Sequence, residues 1–127
     1  MKRVYTASKL SAAPMWRQLQ QDWGSAAFFH ARWLRHCELG TPDSPEAAPG
    51  FWLEDEEDVG TSDALLVWGE PGQALRGALV EAGIAIARGV PVLVIGENES
   101  YGTWQYHPGV ERAADFVEAL RWIKALP

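Results

Sequence analysis

The sequence predicts a small doubly wound α/β domain, a parallel sheet of about five strands in the order 2-1-3-4-5 with helices on both faces. Three observations predict it. Residues 63–68 and 91–95 are short, continuous apolar runs rich in branched side chains, the pattern of strands buried on both faces. Between them, residues 75–88 have helical composition and end at Gly89, where a left-handed helix terminator belongs. A crossover of that length makes the two strands parallel neighbours joined right-handed.

The remaining elements continue the alternation. Residues 3–7 read as the first strand, 13–23 as a helix and 26–31 as the second strand. Residues 40–50 contain three prolines, which exclude a helix or a central strand, and read as a surface loop. Residues 51–60 form a short acidic helix leading into the third strand. A short fifth strand is expected near Val110, then a terminal helix over 113–126 with Phe116, Leu120 and Ile123 on one side. The 127 residues fit one domain. Ligands of such folds bind outside the carboxyl ends of the strands near the switch in strand order, which directs attention to the segments after Tyr5, Trp68 and Ile95.

Composition excludes several classes. Eleven Lys and Arg against 17 Asp and Glu give a net charge of −6, most of it in the run Glu54-Asp55-Glu56-Glu57-Asp58. Duplex nucleic acids and anionic membranes are held by dense Lys/Arg surfaces, so neither is an expected partner. The single cysteine, Cys37, cannot form an internal disulfide or a Cys-rich zinc site, and the three histidines lack metal-ligand spacing. No metal site is expected. No stretch approaches the roughly 18 apolar residues of a membrane helix, and the expected location is the cytoplasm. Seven tryptophans stand out. Trp68 and Trp104 fall at the expected carboxyl edge and Trp52 beside the acidic helix, Trp16, Trp23 and Trp122 read as helix packing, and Trp33 has no assigned role.

Glu81 is the only ionisable residue between Gly77 and Ala87. It reads either as a nucleophile or base facing a cleft, or, with Arg88 seven residues on, as the wet face of an amphipathic helix. Five successive acids usually form a solvated face, but one could turn into the cleft beside Glu81. That would give the pair of carboxylates that glycoside chemistry uses. Arg76 and the loop before the helix can hold a phosphate or form a plain turn, and Ser8 and Lys9 can contact an anion or merely begin a helix.

Tyr5 on the first strand, Ser62-Asp63 opening the third, and the pattern Gly-x-x-x-Glu-x-Gly-x-Ala-x-Ala-x-Gly-x-Pro-Val over residues 77–92 together resemble the nucleoside 2-deoxyribosyltransferase-like superfamily. That superfamily includes transferases that exchange nucleobases and hydrolases that split deoxynucleoside monophosphates. Residues 55–95 carry the resemblance, and the first strand carries it more loosely. It implies that Glu81 attacks the anomeric carbon of a nucleoside or nucleotide and expels the base. By the same resemblance Asp55, eight residues before Asp63, positions or protonates the base, with Asp58 in its place if the register is shifted, and Tyr5 holds the nucleophile. Position at the carboxyl edge and the resemblance together give the expected substrate-binding set Ser8, Asp58, Trp68, Gly69, Arg76, Gly77 and Trp104, and the resemblance implies a homodimer or higher homo-oligomer. Ala7-Ser8-Lys9 replaces a loop that usually offers glycine, Leu75 stands where many transferases have a sugar-binding aspartate, and Arg76 replaces a small residue. Arg76 suits a phosphate or a second ribose. Two alternatives stay open: a non-catalytic nucleotide-binding or sensing module of the same fold, and a glycohydrolase acting on NAD or an ADP-ribose derivative.

Overall fold

The computed structural model describes residues 1–38 and 44–127. Five parallel strands, β1 (Lys2–Ala7), β2 (Ala27–Phe29), β3 (Ala64–Trp68), β4 (Val92–Ile95) and β5 (Val110–Ala113), form one sheet in the order β2-β1-β3-β4-β5. The helices are α1 (Ala13–Trp23), α2 (Trp33–Glu38), α3 (Ala48–Gly60), α4 (Gly77–Ala87) and α5 (Phe116–Ala125). The expected fold class and strand order are those observed.

Register and the two-residue period of a strand sort the faces. Tyr5 pairs with Leu65 in the ladder, so Tyr5, Leu65 and Val67 point to one side and Leu66 and Trp68 to the other. Tyr5 meets Glu81 of α4, whereas Trp68 packs on Phe116 of α5, with ring centroids 6.0 Å apart. Helices α4 and α5 therefore cover opposite faces. On the α5 side Trp16 of α1 packs edge-on against Phe29 and Phe116, closing that half of the core. Within this core the Thr6 hydroxyl is fully buried and has no hydrogen-bond partner among the described residues. The edge strand β2 is tied to α1 by Gln20, whose amide donates to Ala27 O (2.7 Å) and accepts from Phe29 N (2.6 Å).

Several boundaries differ from expectation, and β2 ends at Phe29 instead of Ala31. Helix α3 starts at Ala48, inside the proline-containing stretch, because Pro49 occupies the first helical turn, where its missing N–H has no intrahelical partner to lose. Residues 40–43 of the expected loop lie outside the described residues. Ala113 belongs to β5, and α5 begins only after Asp115, whose carboxylate caps Glu118 N (2.9 Å) while Glu118 accepts from Ala114 N (2.7 Å). Helix α2 was not expected at all. Gly89 has φ +72°, as expected of a helix terminator. Among the described residues no helix is long and apolar enough to cross a membrane.

Candidate active site

At the carboxyl end of β1, where the strand order switches, the segment after β1 and helices α2, α3 and α4 enclose a cavity of about 660 Å³. Glu81 lines it. Helix α4 presents Ala78, Ala82 and Ala85 to the sheet, and these small side chains let the helix approach closely. Glu81 lies on the same stripe, so it is buried (7% exposed), whereas Arg88 stands past the end of α4 and pairs with Glu56 in solvent. The Tyr5 hydroxyl, itself fully buried, donates a hydrogen bond to Glu81 Oε2. Burial pushes Glu81 up from 4.5 to about 8, and the Tyr5 hydroxyl opposes this by favouring the carboxylate.

Helix α3 supplies the facing wall through Phe51, Trp52 and Asp55. Burial, reinforced by the charges of Asp58 and Glu54, raises Asp55 from 3.8 to about 6. The five acids thus divide. Asp55 lines the cavity with Glu81, Glu56 pairs with Arg88 (2.9 Å), and Glu57 reaches Arg32 from solvent (3.4 Å). Asp58 does not reach the cavity. Its buried carboxylate accepts from Arg32 N (2.8 Å) and Nε (3.0 Å), so it anchors the start of α2 instead of a substrate.

Helix α2, so anchored, brings Trp33, His36 and Cys37 to the third wall. Trp33 Nε1 donates to Thr6 O (2.8 Å), His36 Nε2 donates to Glu54 Oε2 (2.7 Å), and the His36 ring meets Phe51 edge-on at 4.7 Å. Ser8, Lys9, Leu10, Arg76 and Gly77 form the mouth. The Ser8 hydroxyl is already engaged, accepting from Trp16 Nε1 (2.8 Å) and donating to Lys9 O (2.9 Å). Lys9 and Arg76 are exposed and pair with no carboxylate among the described residues. An ion of opposite charge at the mouth would meet two free cations.

Of the residues singled out in the sequence, Glu81, Asp55, Ser8, Arg76 and Gly77 line this cavity and Tyr5 touches its floor. Trp68, Gly69 and Trp104 do not. Trp68 faces α5, on the far side of the sheet, and with Gly69 borders a separate depression beyond β3, β4 and β5. A Cβ at Gly69 would lie 2.8 Å from Asn98 Nδ2 and 3.0 Å from Leu75, so glycine is there for packing. Trp104 packs edge-on against Tyr101 and donates to Ser100 O (3.1 Å). The loop after β4 also holds the approach to α4, through Asn98 Nδ2 to Glu70 O and Gln73 O and through Leu75 N to Ser100 Oγ. Trp33, His36, Cys37 and Phe51 were missed as site residues. Their one signal is spacing, since residues 33, 36 and 37 share a face once that segment is helical.

Chemically, the cavity offers a buried carboxyl group with an orienting phenol, a second carboxyl group of lower proton affinity, and aromatic side chains in its walls. Among the described residues no three His, Cys, Asp or Glu gather as a metal site. Comparison with family models, with curated proteins and with solved structures finds no match for this chain.

Proposed function

We propose that the protein cleaves or transfers the N-glycosidic bond of a (deoxy)nucleoside or its 5′-phosphate. The observation that carries this reading is the buried Glu81, bonded to Tyr5, in one cavity with Asp55. The ionised Glu81 attacks the anomeric carbon, the base leaves, and water or a second base resolves the glycosyl-enzyme. Trp33, Phe51 and Trp52 provide flat apolar surface for a planar base, and Asp55 lies among them on α3. Lys9 and Arg76 at the mouth, beside the N-terminus of α4, suit a phosphate on the sugar. This chemistry requires neither a metal nor an organic cofactor.

Leu10, Trp52, Leu53 and Val80 are exposed apolar side chains on the segment and helices around the mouth, and a second copy covering them is the proposed assembly. Light scattering that gives a strict monomer would count against it. The reaction is tested by chromatography against a panel of nucleosides, nucleotides and NAD. Free base should appear with the wild-type protein and vanish with Glu81→Ala. Arg76 favours one other reading, a nucleotide-binding module without turnover. Binding of nucleotides without release of base, unchanged by Glu81→Gln, would establish that reading instead.

A further inference from the structure

The departing base needs a proton, and the cavity contains a side chain arranged to supply it. His36 lies in the wall between Trp33 and Cys37 on α2 and Phe51 on α3, with 28% of its side chain exposed. Its orientation is held from two sides. Nε2 donates to Glu54 Oε2 at 2.7 Å, and Glu54 is in turn drawn by Arg32 NH1 at 3.8 Å. Nε2 is therefore committed to Glu54, which leaves Nδ1 as the ring nitrogen for a ligand. In the neutral ring Nδ1 is a bare acceptor, and in the imidazolium it is a donor. Glu54 with Arg32 holds the Nε2 side of the ring, and the charged groups that line the cavity with His36 are Asp55 from α3, Glu81 from α4, Arg76 before α4 and Lys9 after β1.

We propose that His36, oriented by Glu54, is the proton donor to the departing base, a role that rests on the glycosidic reading of this cavity. A Glu81 oxygen forms the bond to C1′ as the C1′–N bond breaks. The electron pair goes to the base, and the Nδ1 proton of the imidazolium moves to a ring nitrogen of that base. Water then cleaves the glycosyl ester, and the proton released restores the imidazolium. Asp55, raised only to about 6, is largely ionised at neutral pH and so suits holding the base by accepting its N–H groups. The partition makes the leaving base, rather than the sugar, the part of the substrate that His36 reads.

The test compares a purine 2′-deoxynucleoside 5′-phosphate with its 7-methylguanine counterpart, whose base is already cationic and leaves without protonation. His36→Gln retains a donor for Glu54 but has no proton to give. It should lower kcat on the neutral purine by roughly 10²–10⁴-fold and leave kcat on the 7-methyl substrate within about threefold of wild type. Glu54→Gln should show the same selectivity with a smaller loss. Equal losses on both substrates in both variants, or no loss in either, would overturn the assignment while the wild-type protein still cleaves. Failure of the wild-type protein to cleave either substrate would overturn the glycosidic reading and this proposal with it.

Discussion

Glu81→Gln should stabilise the fold while removing the chemistry. In the folded protein burial raises Glu81 to about 8, whereas in the unfolded chain it titrates near 4.5. The folded state therefore binds this proton more tightly, so stability is full below about 4.5 and is lost as the pH rises towards 8. At about 1.4 kcal/mol per pH unit, burying Glu81 costs on the order of 3 kcal/mol at pH 7. Glutamine has nearly the same shape and keeps an oxygen to accept from Tyr5, but it carries no charge to desolvate. Urea unfolding of both proteins from pH 5 to 8 isolates the effect, because every other titrating group cancels in the difference. The stability gap in favour of Glu81→Gln should widen by about 3 kcal/mol across that range, or roughly 10 °C in Tm, while turnover falls by ~10⁴-fold or more. A gap independent of pH would refute the claim that Glu81 is buried as a protonated acid.

The remaining predictions concern the pH response and the boundary of the site. In the wild-type protein kcat/KM on the 7-methyl substrate, whose base leaves without a proton from His36, should rise with pH about a midpoint near 8, since only the ionised Glu81 attacks, and a profile flat from pH 6 to 9 would contradict this. Tyr5→Phe removes the donor to Glu81 Oε2 and should move that rise upward by about one pH unit, with a lower plateau. Tyr101→Phe leaves Ile95 O and Gly69 N without their partner and should cost about 1–3 kcal/mol by urea denaturation, with KM unchanged because Tyr101 lies outside the cavity. Thr6→Val deletes a buried hydroxyl that has no partner among the described residues and should raise stability by ~1 kcal/mol in the same assay.

Glu81 and the sheet were legible for one physical reason: both signals are local. A lone carboxylate in an apolar helix and two branched apolar runs can be read without knowing what lies across the fold. Which face each side chain takes depends on strand register, and that is not local. Trp68 ends β3 at the expected edge, yet its parity with Leu66 puts it against Phe116 and away from Tyr5. Asp58 looked like a spare acid beside Asp55, but three residues along a helix and a pairing with Arg32, 26 positions earlier, give it a different task. Helix α2 spans six residues, too few for a period to show, and its start is held by that same Asp58. With α2 unseen, Trp33, His36 and Cys37 could not be placed on a common face, so one wall of the cavity stayed hidden. The proline rule failed at Pro49 because it applies to helix interiors and not to the first turn.

The central claim is that Glu81 forms a covalent bond to the sugar. Mass spectrometry of the protein quenched during turnover of a 2′-fluoro-2′-deoxynucleoside 5′-phosphate, a slow substrate, tests it most directly. The account predicts a mass increase equal to one glycosyl phosphate, located on Glu81 after proteolysis and absent from Glu81→Gln. Release of base with no adduct on Glu81, and with Glu81→Gln still active, would contradict it.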